Sequence, residues 1–221
     1  MDRGITITKK AKNAGPDVRV EHKGNIIWIE AIAPKRGDQS DRVPELIISN
    51  PPTAQKVPDE QIILRYRNAI SKKYNDRYFK HLESGIISKE DFYIIAINGC
   101  QIPSAGAEID LPRIVRSVLP FGCPQFTYDK DSGQIVPRGF QYRAQISKTR
   151  GSPVRTDIFL DPYYEHISAI LFSNVDVFNL RDDFIIVHNP LARPLPDDFL
   201  NFGQQWKAEL QGNEVRVSPK S

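Results

Sequence analysis

The chain has 221 residues, 40% of them hydrophobic and 26% charged, which allows a sizeable core and excludes a disordered or membrane-filling composition. A formal net charge of +3 is too small to argue for nucleic-acid binding by itself, so the distribution of charge matters more than its sum. Two cysteines, Cys100 and Cys123, exclude a disulfide framework and a cysteine-built zinc site, and read as free thiols in a reducing cytoplasm. No apolar run reaches the length of a membrane span, and Met1-Asp2-Arg3 is not followed by a signal-peptide core. A cytoplasmic protein with no membrane partner is expected.

Residues 1 to 14 are polar and basic, with one alternation at Ile5-Thr6-Ile7-Thr8 that reads as an edge strand or a loose arm. Gly15 to Glu30 reads as a hairpin turning at Lys23-Gly24. A two-residue turn makes His22 face Asn25, so paired residue numbers sum to 47 and Asp17 lies opposite Glu30. Val18, Val20, Ile27, Ile29 and Ala31 then form the buried face; Asp17, Arg19, Trp28, Glu30 and Ile32 point the other way.

Residues 34 to 58 form a long, proline-rich connection of a length that is often functional, with a short strand or turn at Leu46-Ile47-Ile48. A helix is expected from Pro58-Asp59-Glu60 to about His81. Ile62, Ile63, Tyr66, Ala69, Ile70 and Tyr74 give it an apolar stripe, and Gln61, Arg65, Asn68 and Lys72 a neighbouring polar face. Phe92 to Ile97 is a continuous apolar strand, as found in the centre of a sheet. Beyond it the pattern predicts a short helix over Leu111–Leu119 and a hairpin over Phe126–Ile135. Apolar strands over Ile167–Phe172 and Phe184–Val187, a final helix over Asp197–Leu210 and a frayed end complete the chain. The expected fold is therefore α/β with a mixed sheet, in one domain spanning 1–221, its core in 15–98 and the remainder packed on the same sheet as an antiparallel-strand and helix extension.

Two carboxylates side by side repel unless a proton, a cation or full hydration offsets the charge. Asp17 and Glu30 therefore read either as a divalent-metal pair or as surface groups, with Asp17 capping a turn and Glu30 paired to Arg19. The order of strand, turn, strand with two acids, helix and strand, carrying Pro16-Asp17 and Glu30-Ala31-Ile32, resembles the PD-(D/E)xK nuclease superfamily over residues 15 to 98. The resemblance implies a restriction-endonuclease-like core. It also implies Mg²⁺ or Mn²⁺ on Asp17 and Glu30, hydrolysis of phosphodiester bonds, and nucleic acid as partner, DNA ahead of RNA. Many enzymes of this fold class also pair as homodimers. The family places a lysine two residues after the glutamate, and here that position is Ile32. The cation is then expected from Lys72 or Arg65 on the helix or Lys35 in the loop, with Gln61 assisting, or the site is catalytically dead. The alternative to a nuclease is a non-catalytic nucleic-acid-binding or protein-interaction domain that keeps the fold.

Basic residues cluster in two places. Residues 138 to 155 hold Arg138, Arg143, Lys148, Arg150 and Arg155 with Phe140 and Tyr142 and no acid. The helix adds Arg65, Arg67, Lys72, Lys73, Arg77 and Lys80. Such stripes attract a phosphate backbone, and the aromatics stack on exposed bases. Acids gather near the C-terminus at Asp176, Asp182, Asp183, Asp197 and Asp198. The four histidines have no metal-ligand spacing, no serine sits in a Gly-x-Ser-x-Gly context, and there is no Gly-rich phosphate loop. Cys100, after the central strand, reads as a buried thiol rather than a nucleophile.

Overall fold

The computed structural model describes residues 6–8, 15–47, 49–51, 53–108, 111–176, 183–212 and 214–220. Met1, Asp2, Arg3, Ile5, Ile48 and Asp182 from the preceding paragraphs lie outside these residues. The fold is mixed α/β: one large mixed sheet with a few helices.

The first strands are β1 (Thr6–Thr8), β2 (Val18–His22) and β3 (Asn25–Ile32). Lys23 and Gly24 both have positive φ, 50° and 74°, as a two-residue primed turn requires. That turn fixes the register. Val18 faces Ile29 and His22 faces Asn25, so every pair sums to 47 as the sequence predicts. Thr6–Thr8 pairs antiparallel with β2 and is the sheet edge.

Helix α1 (Asp59–Lys73) passes without a break through a π-helical turn, Tyr74–Tyr78, into α2 (Phe79–Glu83). The chain then enters β4 (Phe92–Asn98), which runs parallel to β3 on one side and to β9 (Ala169–Ser173) on the other. A strand flanked on both edges and covered on both faces explains the unbroken apolar run of β4. Helix α3 (Arg113–Arg116) is a single turn. Strands β5 (Phe121–Tyr128) and β6 (Ile135–Tyr142) form a hairpin longer than the one expected over Phe126–Ile135. It stands apart from the main sheet, as does the small pair β7 (Gln145–Ile146) and β8 (Val154–Arg155).

Two sequence expectations fail at the C-terminus. The strand expected over Phe184–Val187 forms as β10 (Ile185–His188), but in place of a helix over Asp197–Leu210 the chain makes β11 (Gln204–Gln211). In place of a frayed end it makes β12 (Glu214–Lys220), paired antiparallel with β11. The cause is a period-2 alternation. Trp206 is buried, and Ala208, Val215 and Val217 pack against the core from one side of the hairpin. The main sheet thus runs β1-β2-β3-β4-β9-β10-β11-β12. Between residues 34 and 58 the only regular element among the described residues is a 3₁₀ turn, Gln39–Asp41. Leu46 and Ile47 are exposed and form no strand.

The hairpin side chains alternate as expected, but both faces are covered: Trp28 and Glu30, expected opposite the buried face, are themselves buried, and Ala31 is exposed at the sheet end. Val20, Ile27, Ile94, Ala169 and Ile186 pack under Leu195, Phe199 and Leu200. On the other face Trp28, Tyr93, Ile95, Ile97 and Phe172 meet Ile62, Tyr66 and Ile70 of α1 and Tyr74 of the π-helical turn. Glu30 and Ile32 belong to this second face, beneath the helix.

Candidate functional site

Asp17 stands immediately before β2, and Glu30 is on β3 near its end. The Ala31 N–H donates to Asp17 Oδ2 at 2.8 Å, which ties the two carboxylate positions across the strand pair. Glu30 is only 4% exposed, an unusual place for a carboxylate without a partner. Its partner comes from the helix: Lys73 Nζ donates to Glu30 Oε1 at 2.7 Å and lies 3.9 Å from Asp17 Oδ2. One cation therefore serves two acids. The Asp17 side chain is about half exposed, so the cluster opens to solvent at that end and is closed at the Glu30 end.

Two further polar atoms converge here. Glu30 Oε2 is buried and accepts no hydrogen bond among the described residues, and the Tyr93 hydroxyl is likewise buried without a partner. Tyr93 is on β4, on the same face as Glu30. Burial pushes its phenol well above the ordinary range, and the nearby Glu30 and Asp17 charges push it further. Tyr93 is thus a protonated donor at every working pH. A cavity of about 380 Å³ begins at Asp17 and crosses the ends of β3, β4 and β9 by way of Ile32, Asn98 and Ser173.

The residues expected from the helix are distributed differently. Lys72 is exposed and does not join the acids. Arg65 lies over Gly37, leaving no room there for a Cβ. Gln61 lines a small cavity with Asp41, Glu60 and Lys148. Lys35 is exposed in the loop. The cation that meets Asp17 and Glu30 is Lys73, one residue from the expected Lys72. Arg19 does not take Glu30 either; it pairs with Glu21 and Thr8. Sequence reasoning missed Tyr93 as well. A signal for Lys73 was present, because it continues the spacing of Ile62, Tyr66 and Ile70 and so points where the apolar stripe points.

The basic stripes shrink on inspection. Arg67 is buried, with Nε on the Arg155 carbonyl at 2.8 Å and Nη2 on the Tyr164 hydroxyl at 2.9 Å, so it belongs to the core. Arg155 pairs with Asp157 and Asp161, and Arg143 is largely covered beside Glu60. Lys72, Arg77 and Lys80 remain exposed on the helix beside Lys73, and Arg138 and Arg150 beyond it. Cys100, expected to be buried, is exposed, as is Cys123. His22 is buried and bonded to Asp198 at 3.0 Å, and His166 stacks on Tyr78.

Among the described residues no group of three or more His, Cys, Asp or Glu side chains forms a metal cluster, and no helix is long and apolar enough to cross a membrane. No protein-family model, no curated protein and no solved structure matches the chain.

Proposed function

We propose that this chain is a metal-dependent phosphodiester hydrolase of the PD-(D/E)xK kind, acting on nucleic acid, DNA ahead of RNA, with its lysine displaced from position 32 to the helix. The observation that carries the reading is the convergence of Lys73 on Asp17 and Glu30. The order of elements supports it: an antiparallel β1-β2-β3 unit with both acids, then α1, then β4 parallel to β3.

The donor set suits Mg²⁺ or Mn²⁺, hard cations that need only one or two carboxylates and take their remaining ligands from water and substrate phosphate. Glu30 Oε2, buried without a partner among the described residues, would supply one oxygen to such an ion, and Asp17 would supply the solvent-facing one. When bound, the ion lowers the pKa of its water and offsets charge on the phosphate. Lys73 uses one N–H on Glu30 and keeps two for a phosphate oxygen or the attacking water. The buried Tyr93 hydroxyl, on the same face of the sheet as Glu30, keeps a donor without a partner among the described residues. Exposed Lys72, Arg77 and Lys80 extend positive charge along the helix for the flanking backbone.

The test is cleavage of plasmid and of single-stranded DNA with Mg²⁺ or Mn²⁺, comparing wild type with Asp17→Ala and Lys73→Met. Removing either group is expected to lower the rate by about 100-fold or more, as for loss of a charge-stabilising group. Cleavage that survives both substitutions excludes this site.

A further inference from the structure

The β5–β6 hairpin pairs with no other strand among the described residues, yet it carries an apolar face. Phe126 faces Pro137 and Tyr128 faces Ile135, so these four side chains share one side. Phe126, Tyr128 and Ile135 are 59%, 62% and 69% exposed. An isolated two-stranded ribbon is marginal in water, and exposed apolar surface of this kind marks an interaction site.

The strip continues towards the root of the ribbon. Pro124 lies two residues before Phe126 on the same side of β5 and faces Phe140. The bulge between these pairs falls on β6 at Arg138, so the alternation of β5 is unbroken. Pro124 and Phe140 form a wall of a cavity of about 540 Å³, with Val57 and Leu111. Arg116 and Glu108 also line it. Arg116 Nε and Glu108 Oε1 are buried without hydrogen-bond partners among the described residues. One end of the strip is therefore an apolar cavity with unmet polar atoms. The other end is an exposed tyrosine, which carries an apolar ring and a hydroxyl.

We propose that the ribbon is a dimerisation arm whose occupant is a second copy of this chain. The two arms lie antiparallel about a two-fold axis, each placing Tyr128 over the cavity at the root of the other. The four steps from Pro124 to Tyr128 span about 13 Å at ~3.3 Å per residue, so an axis near Phe126 brings each tip onto the opposite root. The matched faces are uncharged, and the ribbon from Phe121 to Tyr142 holds Lys130 and Arg138 against Asp129 and Asp131. That balance suits a like copy and gives no attraction for a phosphate backbone. The exposed strip offers roughly 400 Å² per copy, about half of what a stable complex uses, so the dimer dissociates on dilution into the micromolar range.

Sedimentation velocity on the full chain from about 1 to 100 µM reads the association. Wild type is expected to shift from monomer to dimer, and Phe126→Ser/Tyr128→Ser to weaken this at least tenfold with unchanged far-UV circular dichroism. Thiol labelling reads the geometry. Cys123 lines the cavity and is expected to be protected at high concentration in wild type only. Exposed Cys100 reacts equally in both proteins. A wild type that stays monomeric at 100 µM overturns the proposal, as does a dimer that survives the double substitution. A monomer whose binding of a single-stranded oligonucleotide depends on Phe126 and Tyr128 also overturns it, assigning the ribbon to nucleic acid. None of these outcomes depends on whether Asp17 and Glu30 support cleavage.

Discussion

Replacing Lys73 with methionine keeps the apolar stem of the side chain and removes only the ammonium group. Glu30, 4% exposed, already has one oxygen without a partner among the described residues, and the substitution takes the partner from the other. Removing one member of a buried ion pair costs about 3–5 kcal/mol, because the remaining charge stays desolvated. The cluster opens to water beside the half-exposed Asp17, so the lower end applies, about 3 kcal/mol. In a chain of 221 residues about 1 kcal/mol moves the melting temperature by roughly 2–4 °C, so Lys73→Met is expected to melt roughly 6–12 °C lower. Adding Glu30→Gln removes the stranded charge, and the double variant is expected to recover at least about 1 kcal/mol of the loss. Differential scanning calorimetry at neutral pH and low salt reads both quantities. A single variant within about 2 °C of wild type would show that Lys73 is merely solvated surface. A double variant no more stable than the single one would refute the stranded charge as the cause.

Two further outcomes follow from charges elsewhere. Asp59, in the first turn of α1, accepts from Arg113 Nε at 2.8 Å and from Arg116 Nη1 and Nη2 at 2.7 and 2.6 Å. Burial raises its pKa, but hydrogen bonds and charge from the two arginines outweigh this and hold it below the ordinary value. Asp59→Asn leaves two buried guanidinium groups short of an anion and is expected to cost about 3 kcal/mol in urea denaturation, while exposed Asp131→Asn stays within about 0.5 kcal/mol of wild type. Asp198 is held down to about 2 by a hydrogen bond from His22 and then by Lys23. Because its folded pKa is depressed, its stabilisation is complete above the unfolded value of about 3.9 and is lost as pH falls through 2. The melting-temperature gap between wild type and Asp198→Asn is therefore expected to close as pH falls from about 4 towards 2; a gap unchanged at pH 2 contradicts the pairing.

The parts of this fold that local chemistry determines were legible in the chain. Lys23-Gly24 sets the turn, the turn sets the register, and the register puts Asp17 and Glu30 together. The run Phe92–Ile97 announces a central strand. What was not legible depended on distant packing. Gln204–Gln211 is rich in residues that favour helices, and only the packing of Trp206 and Ala208 beside Val215 and Val217 makes it a strand. Lys72 and Lys73 differ by one residue, about 100° of helix rotation, and the choice rests on which side of α1 faces β3. Arg67 looked like surface charge until Tyr164 and the Arg155 carbonyl enclosed it.

The primed turn at Lys23-Gly24 ends six residues from Glu30 along β3, about 20 Å at ~3.3 Å per residue, and takes no part in the acid cluster. It nevertheless governs that cluster. If an insertion moved the two-residue turn one position along the chain, β2 would slide past β3 by one position and Asp17 would go to the opposite side of the sheet from Glu30. The hairpin therefore acts as a gear train, in which a loop length at one end decides whether two acids mesh at the other. A loop insertion far from any substrate would be as damaging to this site as deleting a carboxylate, while leaving every acidic residue in the sequence.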